Sequence, residues 1–125
     1  MNNRKLGNFG EDAVCDYLLS NNLNIIKRNY TIKGGEIDII ALKDDIIAFI
    51  EVKTRDKNAI ISGFEAITKA KKLRIMKTAQ HYFCNNICDF QPRFDVAVVE
   101  TEKGKIISIN YIENAYDMSD TNIIF

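Results

Sequence analysis

Apolar residues near the start of the chain recur at steps of three and four. Leu6, Phe9, Ala13 and Tyr17 form one stripe, which predicts an amphipathic helix over residues 7–22, stopped by Asn21-Asn22. The pattern then changes. Residues 23–33 are rich in β-formers (Ile25, Ile26, Tyr30, Thr31, Ile32) and end at Gly34-Gly35, so they read as a strand. Two further strands, 36–43 and 46–55, are separated only by Asp44-Asp45. Residues 63–84 have helical propensity, but their apolar positions do not hold one face. Ala66, Ala70 and Leu73 line one side while Ile75, Ala79 and Phe83 drift to the other, the pattern of a helix kinked or broken near Arg74. Pro92 precedes a short strand at 94–99, a last strand is expected at 105–112, and 113–125 carries no clear pattern.

The predicted order is αβββαββ. Three successive strands with tight turns suit an antiparallel meander. The helical connection between the third and fourth strands suits a parallel crossover. The expected fold is therefore α/β, a mixed sheet flanked by helices, in one domain over residues 1–125. With 125 residues, 46% of them hydrophobic and 27% charged, the chain can bury a core of its own, and the composition excludes a disordered or collagen-like chain.

Seventeen basic and seventeen acidic side chains cancel, which excludes an overall field that would draw in nucleic acid. Their distribution is uneven. Residues 53–77 carry eight Lys or Arg against two acids, Asp56 and Glu65, whereas 95–120 carry six acids against two lysines. A polyanion would be met locally, by one basic surface. Residues 1–10 lack the apolar stretch of a signal peptide, and no apolar run approaches the roughly 20 residues of a membrane span. Cys15, Cys84 and Cys88 are an odd count, expected as reduced thiols in a cytoplasmic protein. Cys84 and Cys88 stand four apart beside the single histidine, His81. Two more ligands would be needed for zinc, so small buried side chains are the expectation there.

The hairpin carries the chemistry. A two-residue turn at Asp44-Asp45 makes paired residue numbers sum to 89, which sets Asp38 across from Glu51 and Glu36 across from Lys53. Opposed residues share a face, about 4.5–5.5 Å apart at Cβ. Ile37 with Val52, Ile39 with Ile50 and Ala41 with Ala48 then form an apolar wall on the other face. Two carboxylates held opposite each other repel. A divalent cation would remove the conflict, because Mg²⁺ takes oxygen ligands and commonly uses one or two carboxylates plus water and phosphate. Lys53, on the same side, could stabilise charge on a phosphoryl oxygen. The spacing equally fits a solvated strand face with a Glu36–Lys53 ion pair, and by itself does not choose.

Several blocks, taken in order, resemble the YraN family. They are Gly7-Asn8-Phe9-Gly10-Glu11, Arg28-Asn29-Tyr30, Gly34-Gly35-Glu36-Ile37-Asp38-Ile39-Ile40, Phe49-Ile50-Glu51-Val52-Lys53-Thr54-Arg55 and Arg93-Phe94-Asp95-Val96. The family's members are small, largely uncharacterised proteins similar to Holliday-junction resolvases and restriction endonucleases. The resemblance implies a restriction-endonuclease-like fold and a PD-(D/E)xK centre that hydrolyses phosphodiesters with Mg²⁺, or Mn²⁺ in its place. Asp38 matches the Asp of that pattern, Glu51 its acidic ligand and Lys53 its lysine. Ile37 stands where the pattern has proline. Glu11 takes the position of a first-helix glutamate that completes the metal shell in related resolvases. The wheel sets it beside Val14 and Leu18 at the margin of the apolar stripe, and a first-turn acid favoured by the helix dipole would look the same. Gly7 and Gly10 would let the helix start approach the sheet closely. Asp95, beside Arg93, reads as half of a structural ion pair.

Arg55, Lys69, Lys71, Lys72, Arg74 and Lys77 follow these blocks. Beside a phosphodiesterase centre, Arg55, Lys69, Lys72 and Lys77 are the candidates for holding a DNA backbone. Nothing offers base readout, so selectivity for DNA structure is expected rather than for sequence. A two-fold substrate such as a junction would suit a homodimer. The expected function is a Mg²⁺-dependent DNA endonuclease acting on branched or repair intermediates. The rivals are a non-catalytic nucleic-acid-binding module of the same fold and a structural or partner-binding protein.

Overall fold

The computed structural model describes residues 3–58, 67–86 and 89–119, with side chains from residue 8 onward. The described elements are α1 (Asn3–Ser20), β1 (Asn24–Ile32), β2 (Gly35–Lys43), β3 (Ile46–Asp56), α2 (Lys69–Asn85), β4 (Gln91–Glu102) and β5 (Lys105–Tyr116). The five strands lie in the order β1-β2-β3-β4-β5. Consecutive strands pair antiparallel except β3 and β4, which are parallel because α2 carries the chain back between them. This is the expected αβββαββ order, a mixed sheet with helices on its faces. None of the described helices is long and apolar enough to cross a membrane.

Each face has its own core. Val14, Cys15 and Leu18 of α1 pack with Ile39, Ala41, Ala48, Ile50, Ala97 and Val99. On the opposite face Ile75, Met76 and Ala79 of α2 meet Ile37, Ile40, Ile47, Phe49 and Phe94. The stripe expected on α1 is displaced. Phe9 is 40% exposed, Ala13 and Tyr17 are half-buried, and the side chain of Leu6 lies outside the described ones. The buried line is Gly10, Val14 and Leu18. A Cβ on Gly10 would lie 2.0 Å from Thr54 Oγ1, so the missing side chain permits a close helix–sheet approach and centres the face there.

α2 runs unbroken through Arg74, against the expected kink. Thr68 caps it, its Oγ1 accepting Lys71 N–H at 3.1 Å. Ala70 is exposed and only the stretch from Ile75 onward is buried, so the drift in the apolar pattern marks where the helix begins to be buried against the sheet. Residues 63–66 lie outside the described ones, as does Cys88. Cys15 belongs to the core and Cys84 is exposed, both as free thiols.

β4 and β5 are longer than their apolar patterns suggested. β5 continues to Tyr116 across a register shift between Phe94 and Val96. Asp95, fully buried, pins that irregularity. Its Oδ1 accepts Asn114 N–H at 2.9 Å, where Asn114 has φ 51°, while Tyr111 Oη donates to Oδ2 at 2.5 Å and Arg93 forks onto both oxygens. The structural ion pair expected at Asp95 is thus part of a larger network.

Candidate active site

The hairpin register sums to 89 over Ile39↔Ile50 through Lys43↔Ile46, as the turn arithmetic requires. Past Ile39 and Ile50 that ladder stops. β2 continues against β1 alone, to Ile32↔Gly35, and β3 continues against β4 alone, to Asp56↔Thr101. The two strands therefore fork, and Glu36, Asp38, Glu51 and Lys53 all lie on the parted segments.

A backbone flip accompanies the fork. Asn29 of β1 has φ 53°, a left-handed conformation that asparagine tolerates better than most residues. In a regular strand Arg28 and Tyr30 would share a face. Here Arg28 reaches α1, pairing with Asp12 at 2.8 Å and Glu11 at 3.5 Å, whereas Tyr30 packs on the α2 side against Tyr82. Their neighbours on β2 follow. Ile39, beside Arg28, joins the α1 core and Ile37, beside Tyr30, joins the α2 core. Ile37 therefore does not belong to the wall with Ile39 and Ala41.

Asp38 sits at the flip. Its Oδ2 accepts Val52 N–H at 2.8 Å. Burial, and next the charge of Glu51, push its carboxyl up to about 8, while the Val52 hydrogen bond pulls the other way and Glu11 and Glu36 add smaller repulsions. Glu51 is buried and pairs with Lys71 of α2, Nζ to Oε1 at 2.6 Å. Asp38 and Glu51 line one cavity of about 210 Å³ together with Gly35, Glu36, Lys71, Arg74 and Ile75. Gly35 admits α2 at this point, since a Cβ there would lie 2.0 Å from Thr78 Oγ1.

Lys53 is half-buried and has no ion pair among the described residues, so the Glu36–Lys53 pair of the alternative reading is not formed. Its ammonium is held below the usual lysine range by burial first and then by Lys71, with Glu51 opposing. Glu11 is buried on α1 beneath Arg28. Burial raises its pKa and Arg28 counters.

The other basic candidates stand apart from this cavity. Lys69 and Lys72 border a second one of about 750 Å³ with Tyr116, and Lys72 Nζ lies 5.4 Å from the centre of that ring. Lys77 is exposed on α2, and Arg55 is half-buried near the end of β3. Lys71 and Arg74 are the basic residues that line the acidic cavity. Sequence reasoning grouped them with the other lysines and arginines. Their spacing of three behind Thr68, a cap residue, is the signal that would have placed them on one helix face.

Among the described residues no three His, Cys, Asp or Glu side chains converge as a ready metal cage. The donor chemistry of Asp38 and Glu51 nonetheless fits a hard divalent cation, since both are carboxylates on one cavity wall and Asp38 carries a conflict that such an ion relieves.

The profile of the uncharacterised protein family UPF0102 matches residues 10–99. Curated relatives described as UPF0102 proteins cover nearly all of the chain. The one from Dictyoglomus turgidum is 38% identical over 118 residues, 93% of this chain and 100% of the relative. The one from Alkaliphilus metalliredigens is 41% identical over 114 residues, 90% of this chain and 98% of the relative. The chain belongs to the UPF0102 family, the same family that the sequence blocks resemble under the name YraN.

Proposed function

We propose that this UPF0102 member is a divalent-cation-dependent phosphodiesterase of the PD-(D/E)xK type that acts on DNA. The observation that carries the reading is the shared cavity of Asp38 and Glu51 in the β2–β3 fork, with Lys53 two residues beyond Glu51. The topology is consistent with the restriction-endonuclease-like superfamily. Asp38 and Glu51 would hold Mg²⁺, with Mn²⁺ able to replace it, and Glu11 would assist from α1. Bound there, the ion would supply charge neutralisation at a phosphate and acidify a water. The protein's part is electrostatic. Lys53, half-buried and without an ion pair among the described residues, would stabilise charge on a phosphoryl oxygen. Arg55, Lys69, Lys72 and Lys77 would hold the backbone of a DNA recognised by its structure. A non-catalytic nucleic-acid-binding module of the same fold has one observation in its favour, the Lys71–Glu51 pair that occupies a ligand oxygen.

Calorimetry and cleavage together test the reading. The melting temperature of the wild type should rise with Mg²⁺ concentration, because a ligand that binds only the native state stabilises it by mass action. Asp38→Asn and Glu51→Gln should lose that response, and Lys53→Ala should keep it while losing cleavage of branched, nicked or single-stranded DNA. If wild type and Asp38→Asn melt identically across the Mg²⁺ series, the metal site is wrong. A Mg²⁺ response without cleavage of any DNA would favour the binding module.

A further inference from the structure

Lys71 lies outside the motif that the resemblance carries, yet it makes the shortest ion pair among the described residues, and with the acidic residue of that motif. Glu51 is only 8% exposed, so its charge is costly without a cation, and a tethered ammonium from α2 supplies one. Lys71 itself is 39% exposed at the side chain, and can leave at small cost. Arg74, one turn further on, is exposed, has no acidic partner among the described residues and lines the same cavity. The charges then decide what the cavity accepts. If Asp38 and Glu51 neutralise a divalent cation, Lys71 and Arg74 remain on the cavity wall against one further acid, Glu36, an excess of positive charge that favours an anion.

We propose that Lys71 is an internal stand-in for the divalent cation: it holds Glu51 in the metal-free protein, yields it when the ion binds, and with Arg74 then grips a DNA phosphate. This rests on the metal-dependent reading above and adds a residue with two alternating partners. It predicts competition between Lys71 and the ion in the absence of DNA, and cooperation between them in its presence.

Mn²⁺ binding followed by electron paramagnetic resonance, without DNA, tests the first half. Lys71→Met removes the competitor and should bind Mn²⁺ roughly three- to tenfold tighter than wild type, the range expected for a part-buried charge-assisted pair. Lys71→Arg keeps a cation and should stay near wild type, which also controls for damage to the fold. A short DNA duplex titrated in Ca²⁺ tests the second half. Lys71→Met and Arg74→Met should each weaken binding and reduce the slope of log K against log salt by about 1, the loss of one phosphate contact. Equal Mn²⁺ affinity in wild type and Lys71→Met, with binding still abolished by Asp38→Asn, would overturn the stand-in role and leave the metal site intact. An unchanged salt slope in both variants would overturn the phosphate grip. Absence of saturable Mn²⁺ binding in every variant would overturn the metal site itself, and this inference with it.

Discussion

The carboxylate of Asp38 takes the place of a ladder bond: its Oδ2 accepts Val52 N–H at 2.8 Å where β2 and β3 part. A fork in a sheet leaves backbone donors without partners, and an unpaired buried donor is costly. Asp38 satisfies one of them across the opening and is held there beside Glu51. One side chain thus helps close the sheet and places a carboxylate in the cavity.

That position makes stability depend on pH. Asp38 titrates near 3.8 unfolded and is pushed up to about 8 in the folded protein, so between these values the native state holds more protons than the unfolded one. Stability of the metal-free protein therefore falls as pH rises from 4 towards 8, by at most about 1.4 kcal/mol per unit for one proton. Asp38→Asn should flatten the fall. Urea midpoints at pH 5, 6, 7 and 8 in chelator measure it, and a wild-type-to-mutant difference that stays constant with pH contradicts the assignment.

The flip at Asn29 should be sensitive to side-chain shape. A left-handed backbone costs most L-residues about 1–2 kcal/mol, and β-branched ones more. Asn29→Val should lower unfolding stability by at least that amount, whereas Asn29→Gly should stay within about 0.5 kcal/mol of wild type. Chemical denaturation of both variants checks this. Equal losses in the two would show that the conformation is not what matters at this site.

Gly10 and Thr54 should be energetically coupled. Gly10→Ala forces a methyl against Thr54 Oγ1 and Cβ and should cost about 1–3 kcal/mol, the range for overpacking. Thr54→Ala in the same chain should recover part of the loss. The double-mutant cycle gives the coupling directly, and strict additivity would mean that α1 shifts instead.

Asp95 should matter to folding and leave the acidic cavity alone. Asp95→Ala leaves the Arg93 guanidinium, which is 17% exposed, with only its longer 3.8 Å pair to Glu113, and frees Asn114 and Tyr111 from their acceptor. A loss of about 3–5 kcal/mol is expected, as for other broken buried pairs. Below its melting temperature the variant should show the wild-type Mg²⁺ response. A selective loss of that response in a folded Asp95→Ala protein would move Asp95 into the site.

Local sequence determined the elements and the hairpin register next to its turn, but not the expected pairing of Asp38 with Glu51 or of Glu36 with Lys53, which lie past the end of the ladder. Periodicity located the first helix and helical propensity the second, Asp44-Asp45 set the sum of 89 from Ile39↔Ile50 to Lys43↔Ile46, and alternation placed Ile39 with Ile50 and Ala41 with Ala48 on one face. These are short-range properties of the chain, set by turn length and side-chain spacing. Tertiary structure decided the rest. The face of α1 turned because the sheet meets it at Gly10, and the apparent break in α2 vanished because only the turns from Ile75 onward are buried against the sheet. Ile37 changed sides through a flip at Asn29 on the neighbouring strand, which no alternation within β2 could reveal. Lys71 reached Glu51 across twenty residues of sequence. An ion pair between elements depends on where two backbones cross, and that is fixed by packing on both faces of the sheet at once, whereas a residue's own neighbours in sequence specify only the element it belongs to.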